Sequence, residues 1–187
     1  MQKISISAPS ADLLMWKHSD PLKSARCEIS VTTGCEAVVL LKKDPWEEIL
    51  PDNDVEMFLT KNIESVYGIR MQTVDGISWA MVNIPSIDEN SVSCILGGGG
   101  LLSFCVRHSR KLVQAMAGVD STTYDVMDKI LSRCINAIAR KHLSRINFTS
   151  LDYDSLSENI FVDLRGEYDS FGLRLERVVV DRVIRVR

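Results

Sequence analysis

Residues 97–112 read GGGGLLSFCVRHSRKL, and the spacing of their apolar side chains changes part-way along. Leu101 to Val106 form a short, strand-like apolar run. From Ser109 onward, Leu112, Val113 and Met116 recur at helical spacing, with Ser109 as the expected N-cap and Gly118 near the expected end. Upstream the pattern is one of strands, and downstream it is mainly one of helices. The fold class is therefore α+β. A β-rich N-terminal lobe with antiparallel hairpins is expected over about 20–106, and a helical C-terminal lobe ending in a strand over 107–187, within one domain spanning 1–187.

Working upstream, Ile29, Val31 and Thr33 alternate with polar residues and Ala37 to Leu41 are continuously apolar. A hairpin about Thr33-Gly34 is expected there. Val55, Met57 and Leu59 alternate as in a strand. A second hairpin is expected where Ile69 and Met71 lead into Asp75-Gly76 and Ile77, Trp79 and Met81 follow at period two. Pro45, Pro51 and Pro85 are assigned to the stretches between strands, where a missing N–H costs no ladder bond. Downstream, Tyr124, Met127, Leu131, Cys134 and Ile138, widened by Ile130 and Ile135, make one helical stripe, and Thr122 with Asp125 resembles a capping box. A further helix is expected to start at Ser155, capped by its hydroxyl with Glu158 reaching back, and to carry Leu156, Ile160, Leu164 and Tyr168 as far as Gly172. Leu173 to Val186, rich in β-branched residues, reads as a terminal strand.

The 187 residues are 45% hydrophobic and 25% charged, with a formal net charge of -3. That is enough apolar material for a core and too little positive charge for a nucleic-acid-coating protein. Residues 1–93 hold 8 basic and 14 acidic side chains, and 94–187 hold 14 and 11, so the halves differ in sign. No uncharged apolar run reaches the ~18 to 20 residues of a membrane-spanning helix. Cys27, Cys35, Cys94, Cys105 and Cys134 are odd in number and form no C-x-x-C pair, which writes neither a disulfide framework nor a zinc ribbon. The opening MQKISISAPSADLLMW lacks a secretory apolar stretch, so reduced thiols in a cytoplasm are expected.

Candidate chemistry is sparse, and no catalytic, cofactor-binding or metal-binding residue is assigned. Gly97 to Gly100 lack the Gly-Lys-Ser/Thr or G-x-G-x-x-G context of a phosphate cradle, and a flexible turn between strands is preferred. Cys105 and His108 are a thiolate dyad only if helical, and their segment reads as extended. Cys134 belongs to an apolar helix face. His18 and His142 have no metal-spaced companions, and Glu47, Glu48, Asp152 and Asp154 read as surface charge. Arg174, Arg177, Arg182, Arg185 and Arg187 line the terminal strand, where they either discourage aggregation at an edge or dock an acidic partner. Trp16, beside Leu13 and Leu14, is either packed on its own lobe or offered to a neighbouring subunit or a membrane surface.

In order and spacing these segments resemble the SPFH (band 7, prohibitin-homology) family, in its virion-core-protein-like branch. WKHSDP (16–21) is similar to that branch's W-K-H-P opening. CEISVTTGCEAVVLLKKD (27–44) is similar to its S-x-L-x-V-x-x-x-Q-x-A-V-F-x-x-x-G, with Glu36, Ala37 and Val38 at the Gln/Glu-Ala-Val positions. GGGLLSFCVRHSRKLVQAMAG (98–118) is similar to its strand and short helix, and SFGLRLERVVVDRVI (170–184) to its closing strand. Ser109-Arg110 replace the family's Asp-Pro, and Gly99-Gly100 its aromatic-Gly. The membrane anchor, long coiled coil and zinc ribbon that accompany many members are not in these residues.

The resemblance implies a non-enzymatic, cofactor-free scaffold that self-associates as a homo-oligomer and organises protein partners, in the cytoplasm or peripheral to a membrane, without binding nucleic acid. Trp16, Arg174, Arg177, Val180 and Arg182 are the expected contact residues. Two other readings stay open: a structural component of a larger particle, in which the acidic half of one copy meets the basic half of the next, and a small enzyme whose site is not recognisable from residue types.

Overall fold

The computed structural model describes residues 1–42, 47–116, 118–147 and 150–186, with all their side chains except those of residues 47, 48, 124–126 and 128–130. Pro45, Arg187 and the side chains of Glu47, Glu48, Tyr124, Asp125 and Ile130 lie outside the described residues, and the expected Thr122–Asp125 capping box goes with them. Strands and helices are both present, so the chain is a mixed α+β protein. Along the chain run β1 (Gln2–Ile6), β2 (Leu13–Lys17), β3 (Arg26–Val31), β4 (Cys35–Leu41), β5 (Glu47–Leu50), β6 (Val55–Leu59), β7 (Ile63–Arg70), β8 (Val74–Ile87) and β9 (Ser93–Val106). They are followed by α1 (Ser109–Ala115), β10 (Ser121–Thr123), α2 (Tyr124–His142), α3 (Tyr153–Ser170) and β11 (Leu173–Arg185).

Residues 1–72 with 106–124 form one compact unit, and 73–105 with 125–187 form another. This differs from lobes cut at 106/107. Strands β8 and β9 join α2 and α3 because β9 lies between β8 and β11, the strand at the end of the chain, in a sheet ordered β11-β9-β8.

The first unit holds two sheets, ordered β1-β3-β6 and β10-β2-β7-β4-β5. Their facing sides share one core: Ile4 and Ile6 of β1, Cys27, Ile29 and Val31 of β3, Phe58 of β6, Cys35, Ala37 and Val39 of β4, Leu50 of β5, and Ile63 and Val66 of β7. Here the hairpin expected about Thr33-Gly34 is corrected. Strands β3 and β4 belong to different sheets, joined by a tight turn in which the Cys35 N–H donates to the Thr32 carbonyl at 3.1 Å. Alternate burial fits two strands side by side as well as two facing across a core, so the ladders decide: β3 pairs with β1 and β6, and β4 with β5 and β7, which puts the two strands in facing sheets. Helix α1 packs near β4. Its N-cap position is His108, which makes no side-chain cap bond, and Ser109 is a buried residue inside the first turn instead of the cap.

The second unit is built on long antiparallel strands. The Asp75-Gly76 hairpin is also corrected: both residues lie inside β8, where the register against β9 shifts between Val74 and Ile77 and Gly76 takes φ +70°. A glycine at positive φ serves a bulge as well as a two-residue turn, and the 14-residue β9 supplies the partner that decides between them. The observed hairpin is β8–β9, closed over residues 88–92. The Asp88 carboxylate accepts from the Asn90 and Val92 amides at 3.0 and 2.8 Å and from Arg185 Nη1 at 3.0 Å. Pro85 sits in β8 opposite Ile95, in an edge strand of the three-stranded sheet, and not in an intervening stretch.

The glycine run is neither a flexible turn nor a cradle. Gly97 to Gly100 form the middle of β9, between β8 and β11. A Cβ on Gly98 would lie 2.1 Å from the Arg182 carbonyl oxygen, one on Gly99 2.3 Å from that of Trp79, and one on Gly100 1.8 Å from that of Val179. Both neighbouring backbones approach more closely than any side chain allows. Beneath the sheet, α3 presents Leu156, Ile160, Leu164 and Tyr168, all buried, and Tyr168 meets Phe104 of β9 edge-on at 5.6 Å. The expected Ser155 cap is one turn late. Helix α3 is capped by Asp152, which accepts from the Asp154 and Ser155 amides, while the Ser155 hydroxyl donates back to Asp152 at 2.6 Å.

Candidate functional site

Sheet edges decide what this protein can hold, because an unpaired edge presents a row of N–H and C=O groups to any extended chain. In the second unit both edges are bonded along part of their length by groups from outside the sheet. On β8, Asn136 of α2 accepts from the Val82 amide at 3.0 Å and donates to the Ala80 carbonyl at 3.5 Å. Further along β8, Ile87 exchanges bonds with the Ser144 carbonyl and the Ile146 amide. On β11, the Val180 amide donates to the Ser157 hydroxyl at 2.9 Å and the Val183 amide to the Tyr153 hydroxyl at 3.3 Å, both from α3. At those positions helix side chains, and the backbone of residues 144–146, stand where another strand would pair.

Strand β6 in the first unit is different. It is an edge of its sheet, antiparallel to β3 with Met57 opposite Glu28. The Val31 amide donates to the Asp54 carbonyl and the Thr60 amide to the Ala25 carbonyl. Since antiparallel pairs alternate, residues 54, 56, 58 and 60 turn their backbone toward β3, and residues 55, 57 and 59 turn theirs outward. The Val55 amide is taken by its neighbour Asp54 at 2.9 Å, whereas the backbone groups of Met57 have no partner among the described residues. The same three residues hold their side chains in solvent: Val55 is 57% exposed, Met57 48% and Leu59 42%. Phe58 points the other way into the core. On the outer face beside this stripe, β3 and β1 carry polar groups, with Glu28 paired to Lys3 at 3.2 Å. The result is a short apolar ridge along an open edge.

The residues expected to make contacts are distributed otherwise. Trp16, in β2, lies over Gly68 of β7: a Cβ there would be 2.3 Å from the indole Cε2, so the ring fills the place of the missing side chain and packs against the unit's core. Trp16 is thus largely committed to its own unit. Val180 is corrected outright, being a core residue at 3% exposure with its amide held by Ser157. Arg174 is paired with Glu176, its Nε donating at 2.7 Å, and Arg185 with Asp88, which breaks the basic row. Arg177 is exposed, and Arg182 lines a shallow hollow of about 530 Å³ with Met81, Asp181, Val186 and Gly97 to Gly99. The structure brings the four β11 residues onto one strand and leaves Trp16 in the other unit.

Nucleophilic chemistry finds little support in the thiols. Burial pushes the Cys105 thiol up, and its hydrogen bond to Glu176 at 3.3 Å adds to the shift, so it stays protonated at neutral pH. Cys134 is raised by burial and then by Glu167, and Cys27 by burial. Cys105 and His108 fall in different units. His142 instead joins Lys141 on the Asp163 carboxylate, at 2.8 and 2.7 Å, which ties α2 to α3. Among the described residues, no three His, Cys, Asp or Glu side chains gather as metal ligands would, and no helix is long and apolar enough to cross a membrane.

No protein-family model matches the chain, and no curated protein matches it. The β6 ridge was missed as a site although Val55, Met57 and Leu59 read plainly as a strand, because alternation gives a strand two faces without saying which one meets water.

Proposed function

We propose that this chain is a non-enzymatic scaffold domain of the SPFH/band 7 kind, which self-associates and organises partner proteins in a cytoplasm or against a membrane surface. One observation carries the reading. Where helix side chains bond parts of both edges of the second unit's sheet, β6 keeps unpaired backbone groups and an apolar ridge together in solvent among the described residues. Such an edge is an aggregation hazard unless it has a use, and binding by strand addition is the use that fits it. The order and spacing of the motifs from WKHSDP to SFGLRLERVVVDRVI add the family to that reading, and the elevated thiols weigh against turnover by cysteine.

Size-exclusion chromatography with light scattering, run across a range of concentrations, tests it. The mass should rise above that of one chain as concentration increases. A strict monomer at high concentration that also ignores lipid vesicles and cell-extract proteins overturns the proposal. Large species that dissolve steeply with salt would favour instead the particle component, in which oppositely charged halves of successive copies meet.

A further inference from the structure

Resting on that self-association reading, we infer that the occupant of the β6 edge is the β6 edge of a second copy, paired antiparallel about a two-fold axis through Met57. The strand and its flanks read Asp52-Asn53-Asp54-Val55-Glu56-Met57-Phe58-Leu59-Thr60-Lys61. Reversed against itself about Met57, this segment matches apolar with apolar, since Val55 faces the second copy's Leu59 and Met57 faces its counterpart. It also matches charge with charge. The acidic approach at Asp52 and Asp54 comes beside the basic exit at Lys61, and Glu56 meets Phe58 instead of another carboxylate. A parallel, in-register pairing would set Asp54 and Glu56 against their own copies, at a cost in like-charge contact.

The backbone favours the same register. The outward groups are those of residues 55, 57 and 59, so Met57 exchanges N–H and C=O with its counterpart, and the Leu59 amide reaches the second copy's Val55 carbonyl. The Val55 amide, already held by Asp54, is the one ladder donor left out. The pairing joins two β1-β3-β6 sheets edge to edge into a continuous sheet. An isologous contact of this sort closes on itself, so it yields a dimer and not a filament. A five-residue strand makes a small interface, so the dimer forms and parts with concentration.

Two charge variants at the axis test the register. Met57→Lys and Met57→Glu each place like charges face to face in a homodimer. Each alone should weaken dimerisation by about tenfold or more, with melting curves near that of the wild type because the side chain is half in water. Mixed in equal amounts, the two should recover dimers, and native mass spectrometry should find them to be the Lys/Glu heterodimer. Hydrogen exchange on the unmodified protein gives a readout free of variants: the Met57 amide should become protected as concentration rises. If the wild type self-associates but neither variant weakens it, or mixing restores nothing, or the Met57 amide stays unprotected, the inference fails while self-association stands. If the wild type grows into open-ended species, the two-fold contact is likewise overturned. A wild type that is monomeric at every concentration removes both.

Discussion

Gly100→Ala should be among the most damaging single-methyl changes this protein can receive. The added Cβ would stand 1.8 Å from the Val179 carbonyl oxygen, 2.8 Å from its carbonyl carbon and 3.0 Å from the Val180 Cα. A carbon and a carbonyl oxygen settle at about 3.3 Å, so β9 and β11 must part by more than an ångström there. The atoms in the way are backbone, which no rotamer change can move aside. Overpacking costs about 1 to 3 kcal/mol, and each ladder bond stretched with it adds about 1 kcal/mol. A loss of about 3 kcal/mol or more is expected, or roughly 6 to 12 °C in melting temperature for a chain of this size. Gly97→Ala is the internal control. Its Cβ would meet only Val186 Cγ2 at 3.2 Å and the Met81 carbonyl oxygen at 3.6 Å. The small crowding there is offset by the 0.4 to 1 kcal/mol (approximately) that alanine gains by restricting the unfolded chain, so its stability should stay within about 1 kcal/mol of wild type. Thermal and urea unfolding followed by circular dichroism would measure both. If Gly100→Ala melts with the wild type, or if the two substitutions are equally harmful, the close-approach argument is wrong and a loop-like role for the glycines returns.

Three further outcomes follow from the geometry. Gly68→Ala should expel the Trp16 indole from its seat, costing about 1 to 3 kcal/mol and shifting tryptophan emission to the red; an unchanged spectrum would contradict the stacking. Ser157→Ala should leave the Val180 amide without its acceptor, lowering stability by about 1 kcal/mol and increasing aggregation on heating, and a variant identical to wild type in both would mean that β11 needs no seal. The Asp88 carboxyl is held below its ordinary value of 3.8, first by the Val92 amide and also by Asn90 and Arg185. A carboxyl lowered on folding stabilises above its unfolded value and loses that contribution as pH falls through the folded one. Asp88→Asn should accordingly be less stable than wild type near pH 7, with the gap closing toward about pH 3; a gap constant across that range would rule out this carboxylate as its source.

Much of the architecture was legible from residue order. The apolar row of α3, the short helix after Val106 and the terminal strand fall close to where spacing placed them, since each element buries one face and its period records that face, whereas the buried row of α2 runs Met127, Leu131, Ile135 and Ala139, with Cys134 and Ile138 only half-buried. Errors gathered where two elements had to choose partners. Thr33-Gly34 and Asp75-Gly76 carry genuine turn chemistry, yet turn chemistry is equally compatible with a crossing between sheets and with a bulge inside a strand. The caps went astray by a residue or a turn, because Asp152 outcompetes Ser155 with a charged acceptor for the same amides.

The contact residues show the same division. Arg174 and Arg177 both face solvent although they stand three residues apart, and Val180 lies in the core, because the phase changes after Glu176; the run Val178 to Val180 records that break in the residue order without saying which valines turn inward. The amino-acid order alone committed the chain to strands, helices and a buried interior, because hydrophobic periodicity and capping act over a few residues. Which edges are sealed was settled by the folded arrangement, since Asn136, Ser157 and Tyr153 come from helices far along the chain from the amides they cover, or from none at all in the case of β6. An open edge is defined by the partner it lacks, and that is a property of three-dimensional neighbours.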